Sequence, residues 1–240
     1  MTLQLSGMLL GEVDFYIKGL LKYTLFGQEF WITTTHVGLF IVTLVLIILM
    51  IVGHHKIVHA NPTDKPGVLQ NILEIFVQMM DNMVTSIMGK KGERFKNWIC
   101  LVFLFLLFCN ISGLFGLRPP TADYGVTLPL GIITFVMIQF SGLKANKFSH
   151  ITALFKPTPI LFPINLIGEV AVPLSLSLRL FGNIMSGTIL LGLIYGLLPT
   201  AVTIGIPSVI HAYCDIFSGA IQTYVFCMLS LVYINDKISD

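Results

Sequence analysis

Five stretches of this chain are predominantly apolar. They run over residues 33–52, 98–117, 128–143, 163–198 and 207–235. A helix that crosses a bilayer needs about 20 mostly apolar residues, and the third run reaches that length if it starts near Tyr124. The pattern predicts five membrane helices. The fourth run, 163–198, is broken only by Pro173 and would be about 50 Å long as a helix, against a hydrocarbon core of about 30 Å. It must therefore tilt steeply or lie partly along the membrane plane. The short connection around 199–207 makes the last two helices, over 163–235, an antiparallel hairpin. Residues 67–88 carry a different pattern. Val68, Leu69, Ile72, Ile75, Phe76, Met79, Met83 and Ile87 recur at helical spacing opposite Gln70, Asn71, Glu74, Gln78, Asp81, Asn82 and Thr85. That spacing predicts an amphipathic helix lying in the membrane interface.

Composition agrees. Of 240 residues, 55% are hydrophobic and only 11% charged, where a soluble domain carries about 25%; mean hydropathy is +0.87. The expected fold is an all-α integral membrane protein. Residues 1–240 form a single membrane domain, because no polar stretch is long enough to fold separately. A net charge of +2 leaves no electrostatic footprint for nucleic acid. Cys100, Cys109, Cys214 and Cys227 lie in apolar runs without CxxC spacing and read as small buried hydrophobes. No metal or cofactor motif is present, and no pair of histidines within a span has ligand spacing. The first apolar run starts too far from the N-terminus for an ordinary signal peptide. Lysine and arginine set the orientation. With residues 1–32 outside, ten fall in inner segments and Lys18, Lys22 and Arg118 in outer ones. This places the N-terminus outside and the C-terminus in the cytoplasm. Asp123, just before the third span, is positioned as a helix-start cap.

The chemistry lies in the hairpin. Over 160–198 the only charged side chains are Glu169 and Arg179. A charge at the bilayer centre costs at least about 2.5–3.5 kcal/mol, so Arg179 is expected to face a polar cavity or a partner. A structural arginine satisfied by backbone carbonyls inside the bundle is the other reading. Ser175, Arg179, Asn183 and Ser186 share one helical face, as do His211, Asp215, Ser218 and Gln222 on the next helix. Two such stripes can line aqueous paths or bond to each other across the helices. Ser175, Ser177, Ser186 and Ser218 suit the bonding role. Asp215 suits ion transfer, since an intramembrane carboxylate can carry protons. His211 fits either role. Glu169 sits about 15 Å along the helix from Arg179, toward the inner end, where it is either an exit acid or a snorkelling side chain.

The run SLSLRLFGNIMSG (175–187) resembles the signature of subunit a of F-type ATP synthases. PTADYGVTLPLG (120–131), NLIGEVAVP (165–173) and IQTYVFCMLSLVYI (221–234) are similar to the same family. The resemblance runs from the first membrane helix to the end of the chain, and the arginine motif is its most specific part. It implies a stator subunit of a rotary ATP synthase, working with a c-subunit ring, peripheral-stalk b subunits and other synthase subunits, most simply in a bacterial plasma membrane. It implies no cofactor and no catalysis by the chain alone. Arg179 would meet the carboxylate of each passing c subunit and block a short circuit between two offset half-channels. Asn183 and Gln222 match polar positions near that arginine. Asn110 matches an outer half-channel asparagine. Asp215 matches a protonatable outer position, and Glu169 an inner acid. One departure is Thr188, where many members carry glutamate nine residues after the arginine. The outer acid then rests on Asp215, and the coupling ion is either H⁺ or Na⁺. Two other classes compete. A secondary transporter would carry internal repeats, and none is visible. A structural subunit of a redox membrane complex would leave Arg179 as packing.

Overall fold

The computed structural model describes residues 19–25, 28–58, 67–115, 117–146, 160, 162–197, 210 and 212–239. The hairpin connection and His211 lie outside them. The described chain opens with an antiparallel hairpin, β1 (Gly19–Leu25) and β2 (Gln28–Thr33). Lys22 pairs with Glu29 at 2.6 Å and lies 5.6 Å from the Trp31 ring centroid. The sequence reading assigned no structure there. Five helices long and apolar enough to cross a membrane follow.

Helix α1 (Thr34–Val58) is apolar all round, yet only one stripe touches protein. Thr35, Gly38, Val42, Leu46 and Gly53 are buried, while Phe40, Ile48 and Ile51 point outward. Val42 and Leu46 pack on Leu104, Phe105, Phe108 and Cys109 of the next span. This is the surface expected where lipid replaces water: apolar outside, with small or shape-matched residues at the helix contact.

Helix α2 (Val68–Met88) is amphipathic, as its spacing predicts, but its apolar side divides in two. Met80, Met83, Val84 and Met88 are buried in the protein core, and Phe76 packs its ring 5.6 Å from that of Phe103. Val68, Ile72, Ile75 and Met79 form a separate exposed row. Phe76 and Met83, which the sequence spacing assigns to the lipid, therefore face protein. Gly89 ends the helix in the left-handed region at φ 57°, where a side chain would be strained. A 3₁₀ segment (Gly89–Phe95) turns the chain into α3 (Lys96–Ile111), and Lys96 lies 3.4 Å from Asp81 across the turn.

Helix α4 (Tyr124–Asn146) starts where the sequence places it. The Asp123 carboxylate accepts the Gly125 N–H at 2.9 Å, which caps the first turn. Helix α5 (Phe162–Leu197) is continuous through Pro173 for 36 residues. A Cβ on Gly131 of α4 would lie 2.8 Å from the Pro173 carbonyl oxygen. Gly131 thus lets α4 seat against α5 at the proline. Gly131→Ala is expected to destabilise the fold by about 1–3 kcal/mol through overpacking, read as a lower thermal midpoint of the detergent-solubilised complex. A π-helical stretch (Ala212–Ser218) leads into α6 (Gly219–Ser239). The core forms where α2 to α6 meet, around Leu106, Ile138, Leu180, Phe226 and Leu231.

Candidate functional site

Contacts between α5 and the segment from the π-helical stretch to the end of α6 define the hairpin's register. Glu169 meets Lys237, Asn183 meets Gln222, and Gly187 lies against Cys214. As the number rises on one strand it falls on the other, so the two run antiparallel. Asp215 is therefore level with the part of α5 about two turns beyond Arg179, and Glu169 lies about 15 Å before Arg179. Polar groups collect at these three levels.

At the middle level α5 buries Pro173, Leu176, Ser177, Leu180 and Ile184 and turns Ser175, Leu178, Arg179, Gly182, Asn183 and Ser186 outward. Arg179 is exposed, and among the described residues it makes no hydrogen bond or ion pair. The reading of a bundle arginine held by carbonyls is thereby removed. One turn along, Asn183 Nδ2 donates to Gln222 Oε1 at 2.6 Å. Gln222 is only 3% exposed, and its Nε2 has no hydrogen-bond partner. A bridging amide pair thus joins the helices directly beside the arginine. The serines behave differently from interhelical glue. Ser177 Oγ donates to Leu174 O and Ser186 Oγ to Asn183 O, each within its own helix. Thr188 does likewise, donating to Met185 O at 2.8 Å.

At the second level Asp215 is 7% exposed and sits over Gly113, in the 3₁₀ turn Ser112–Phe115 that follows α3. A Cβ on Gly113 would lie 3.0 Å from Asp215 Oδ2. Asn110, 1% exposed, is fully engaged. Its Nδ2 donates to Gly219 O at 3.0 Å and to Thr223 Oγ1 at 3.1 Å, and its Oδ1 accepts from Thr121 Oγ1 at 2.8 Å. The single polar stripe expected for Asp215, Ser218 and Gln222 is accordingly split. Asp215 turns toward the end of α3, whereas Gln222 turns toward α5. The cause is the π-helical stretch, whose i→i+5 bonding breaks the 3.6-residue phase. Ser218 is half-buried between them. Thr121, Thr223 and Gly113 carry no local signal that marks them in the sequence, because the groups they meet are distant along the chain.

At the third level the half-buried Glu169 carboxylate is held from two helices. Gln139 Nε2 of α4 donates to Oε2 at 2.7 Å, and Lys237 Nζ of α6 contacts Oε1. Beside it is a cavity of about 230 Å³ lined by Glu169, Asp236, Lys237, Tyr233 and apolar residues. Snorkelling of Glu169 into water is therefore replaced by a specific ion pair. Gln139 and Lys237 are functional candidates that spacing alone did not single out. Asn146 Nδ2 donates to the Lys237 carbonyl at 3.2 Å and fixes the end of α6. The chain thus presents an outward cation flanked by two carboxylates, Asp215 buried and Glu169 half-buried, displaced to opposite sides along the hairpin axis.

Residues 36–235 match the family model described as ATP synthase A chain. The ATP synthase subunit a of Anoxybacillus flavithermus is 36% identical over 232 residues, covering 90% of this chain and 96% of that protein. That of Priestia megaterium is 38% identical over 190 residues, covering 73% and 80%. A protein of Propionigenium modestum described as ATP synthase subunit a, sodium ion specific, is 36% identical over 188 residues; the match covers 71% of this chain and 64% of that one.

Proposed function

Because the chain belongs to the ATP synthase A chain family, as a subunit a of the F-type membrane sector, we propose that it is the stator against which a ring of c subunits turns. It carries protons through two offset half-channels in a bacterial plasma membrane, with its N-terminus outside and its C-terminus in the cytoplasm. The supporting observation is the exposed Arg179 lying between Asp215 and Glu169 along the hairpin.

Asp215 and the Asn110 network belong to the outer path in this reading, and Glu169 to the inner one. A ring carboxylate that reaches Arg179 is held ionised, since a cation within about 4–6 Å favours the charged form. At 4 Å and an effective dielectric of about 20 the attraction is about 4 kcal/mol, enough to strip the carboxylate's proton without trapping it. The amide pair Asn183–Gln222 stiffens the two helices behind the guanidinium. The peripheral stalk holds the subunit still while the ring moves.

Face-specific cross-linking tests the reading. Single cysteines at Ser186 and Leu178, both exposed, should form disulfides with cysteines on the outer helix of the ring. A cysteine at Ser177, buried against α4, should not. Equal cross-linking at all three positions would remove the ring-facing assignment of α5.

A further inference from the structure

We infer that Lys237 is the ion-selectivity element of the inner half-channel: its ammonium, seated on Glu169, keeps alkali-metal cations out of the path while leaving it open to protons. The inference rests on the proposed role of Glu169. It starts from the cavity of about 230 Å³ beside that residue, large enough for several waters. Two carboxylates, Glu169 and Asp236, border it. A water-filled mouth lined by carboxylates attracts small cations, as acidic rings do in cation channels. With nothing else present, Na⁺ or K⁺ would collect there and compete with the proton for Glu169.

Lys237 changes that balance. Its Nζ contacts Glu169 Oε1, while Gln139 donates to Oε2, so both carboxylate oxygens already have a donor. The two side chains are 26% and 18% exposed, so their interaction is screened less than that of a surface pair. Lys237 is also held from behind, through its own carbonyl and Asn146 Nδ2. An alkali cation entering the cavity must displace a tethered ammonium or sit beside it against like-charge repulsion. A proton meets the same positive charge but needs neither a vacant coordination site nor the displacement of the ammonium. It travels along hydrogen-bonded water and is handed to or from a carboxylate oxygen, with no cation needing a coordination site. The positive charge is the essential property. Arginine should substitute, whereas a neutral side chain of similar length should not.

The experiment uses vesicles holding the assembled synthase, stripped of its soluble catalytic sector, with the membrane potential clamped. Passive proton flux is measured in choline and then in Na⁺ or K⁺ at the same ionic strength. The unaltered protein should lose less than about twofold of its flux on the exchange. Lys237→Met should lose about tenfold, the order expected when one unit charge is removed near a partly buried carboxylate. Lys237→Arg should restore the unaltered behaviour, which a lysine serving only as a latch between α5 and α6 would not require. If Lys237→Met fails to assemble, Lys237→Gln is measured in its place. Flux through an assembled neutral variant that is as indifferent to Na⁺ and K⁺ as the unaltered protein overturns the inference. Arg179→Ala, measured for coupled pumping in parallel vesicles that keep the catalytic sector, separates the two levels of the argument. If it leaves coupled pumping intact, the stator reading itself fails. If it abolishes coupling while the Lys237 variants respond to no cation, only the selectivity role falls.

Discussion

Arg179→Ala is expected to abolish coupled ATP synthesis while leaving, or widening, a passive proton leak through the membrane sector. The guanidinium is exposed on the outer face of α5 and engages no other described residue, so its loss removes no packing and the helix should stay folded. Two functions go with it. The ring carboxylate loses the cation that favours its ionised form and compels it to release its proton. The gap between the Asp215 and Glu169 levels loses a fixed positive charge that repels free cations. Arg179→Lys retains the charge but not the planar fork, and a lysine can deprotonate in a low-dielectric contact. It should therefore fall near the alanine variant. ATP synthesis measured beside passive conductance in stripped vesicles checks both halves. Substantial coupled synthesis by Arg179→Ala would contradict the assignment.

Asp215→Asn is expected to slow proton pumping at least about a hundredfold, the lower range for loss of a positioned proton-transfer group. Asparagine keeps the shape and fits over Gly113 as aspartate does, so assembly should be preserved. Ser218→Ala, one turn away on a half-buried position, should stay within about twofold of the unaltered rate. Proton uptake by inverted vesicles driven by ATP is the measurement. Near-normal pumping by the asparagine variant would move the outer acid away from this residue. The contrast matters because both residues lie in the π-helical stretch, so a general disturbance of that turn would affect both.

The spans were legible because their signal is local. Long apolar runs with at most two charged residues exclude most alternatives, and the five runs match the five apolar helices among the described residues. The exposed position of Arg179 was legible for a related reason: a charge there needs a polar cavity or a partner. Other features depend on contacts that no window of sequence contains. Spacing grouped Met83 with Ile72, yet the core takes one and leaves the other outside, because Val84, Met88 and Ile99 complete a buried cluster that spacing cannot see. Asp215 and Gln222 were placed on one face by a 3.6-residue count. The π-helical turn breaks that count where Gly219 approaches Asn110 so closely that a Cβ would lie 2.9 Å from the asparagine Cβ. Lys237 was counted only as an inner charge, since Glu169 stands 68 positions away. Thr121 and Thr223 join Asn110 by the same long-range logic.

The outer face of α5 also bears on mechanical loss. On the proposed reading, a ring turning past this surface would meet Leu174, Leu178, Leu190 and the bare backbone of Gly182, which offer only dispersion contacts. Such contacts vary little as one apolar side chain replaces another, so they set up no deep periodic wells along the direction of travel. The hydroxyl of Ser186 and the amide nitrogen of Asn183, though exposed, each already donate within the subunit, which leaves them fewer bonds to offer a moving partner. The guanidinium of Arg179 would then be the charged attachment point on a largely apolar track. Adhesion would then occur once per passing carboxylate, with little friction over the rest of the rotation.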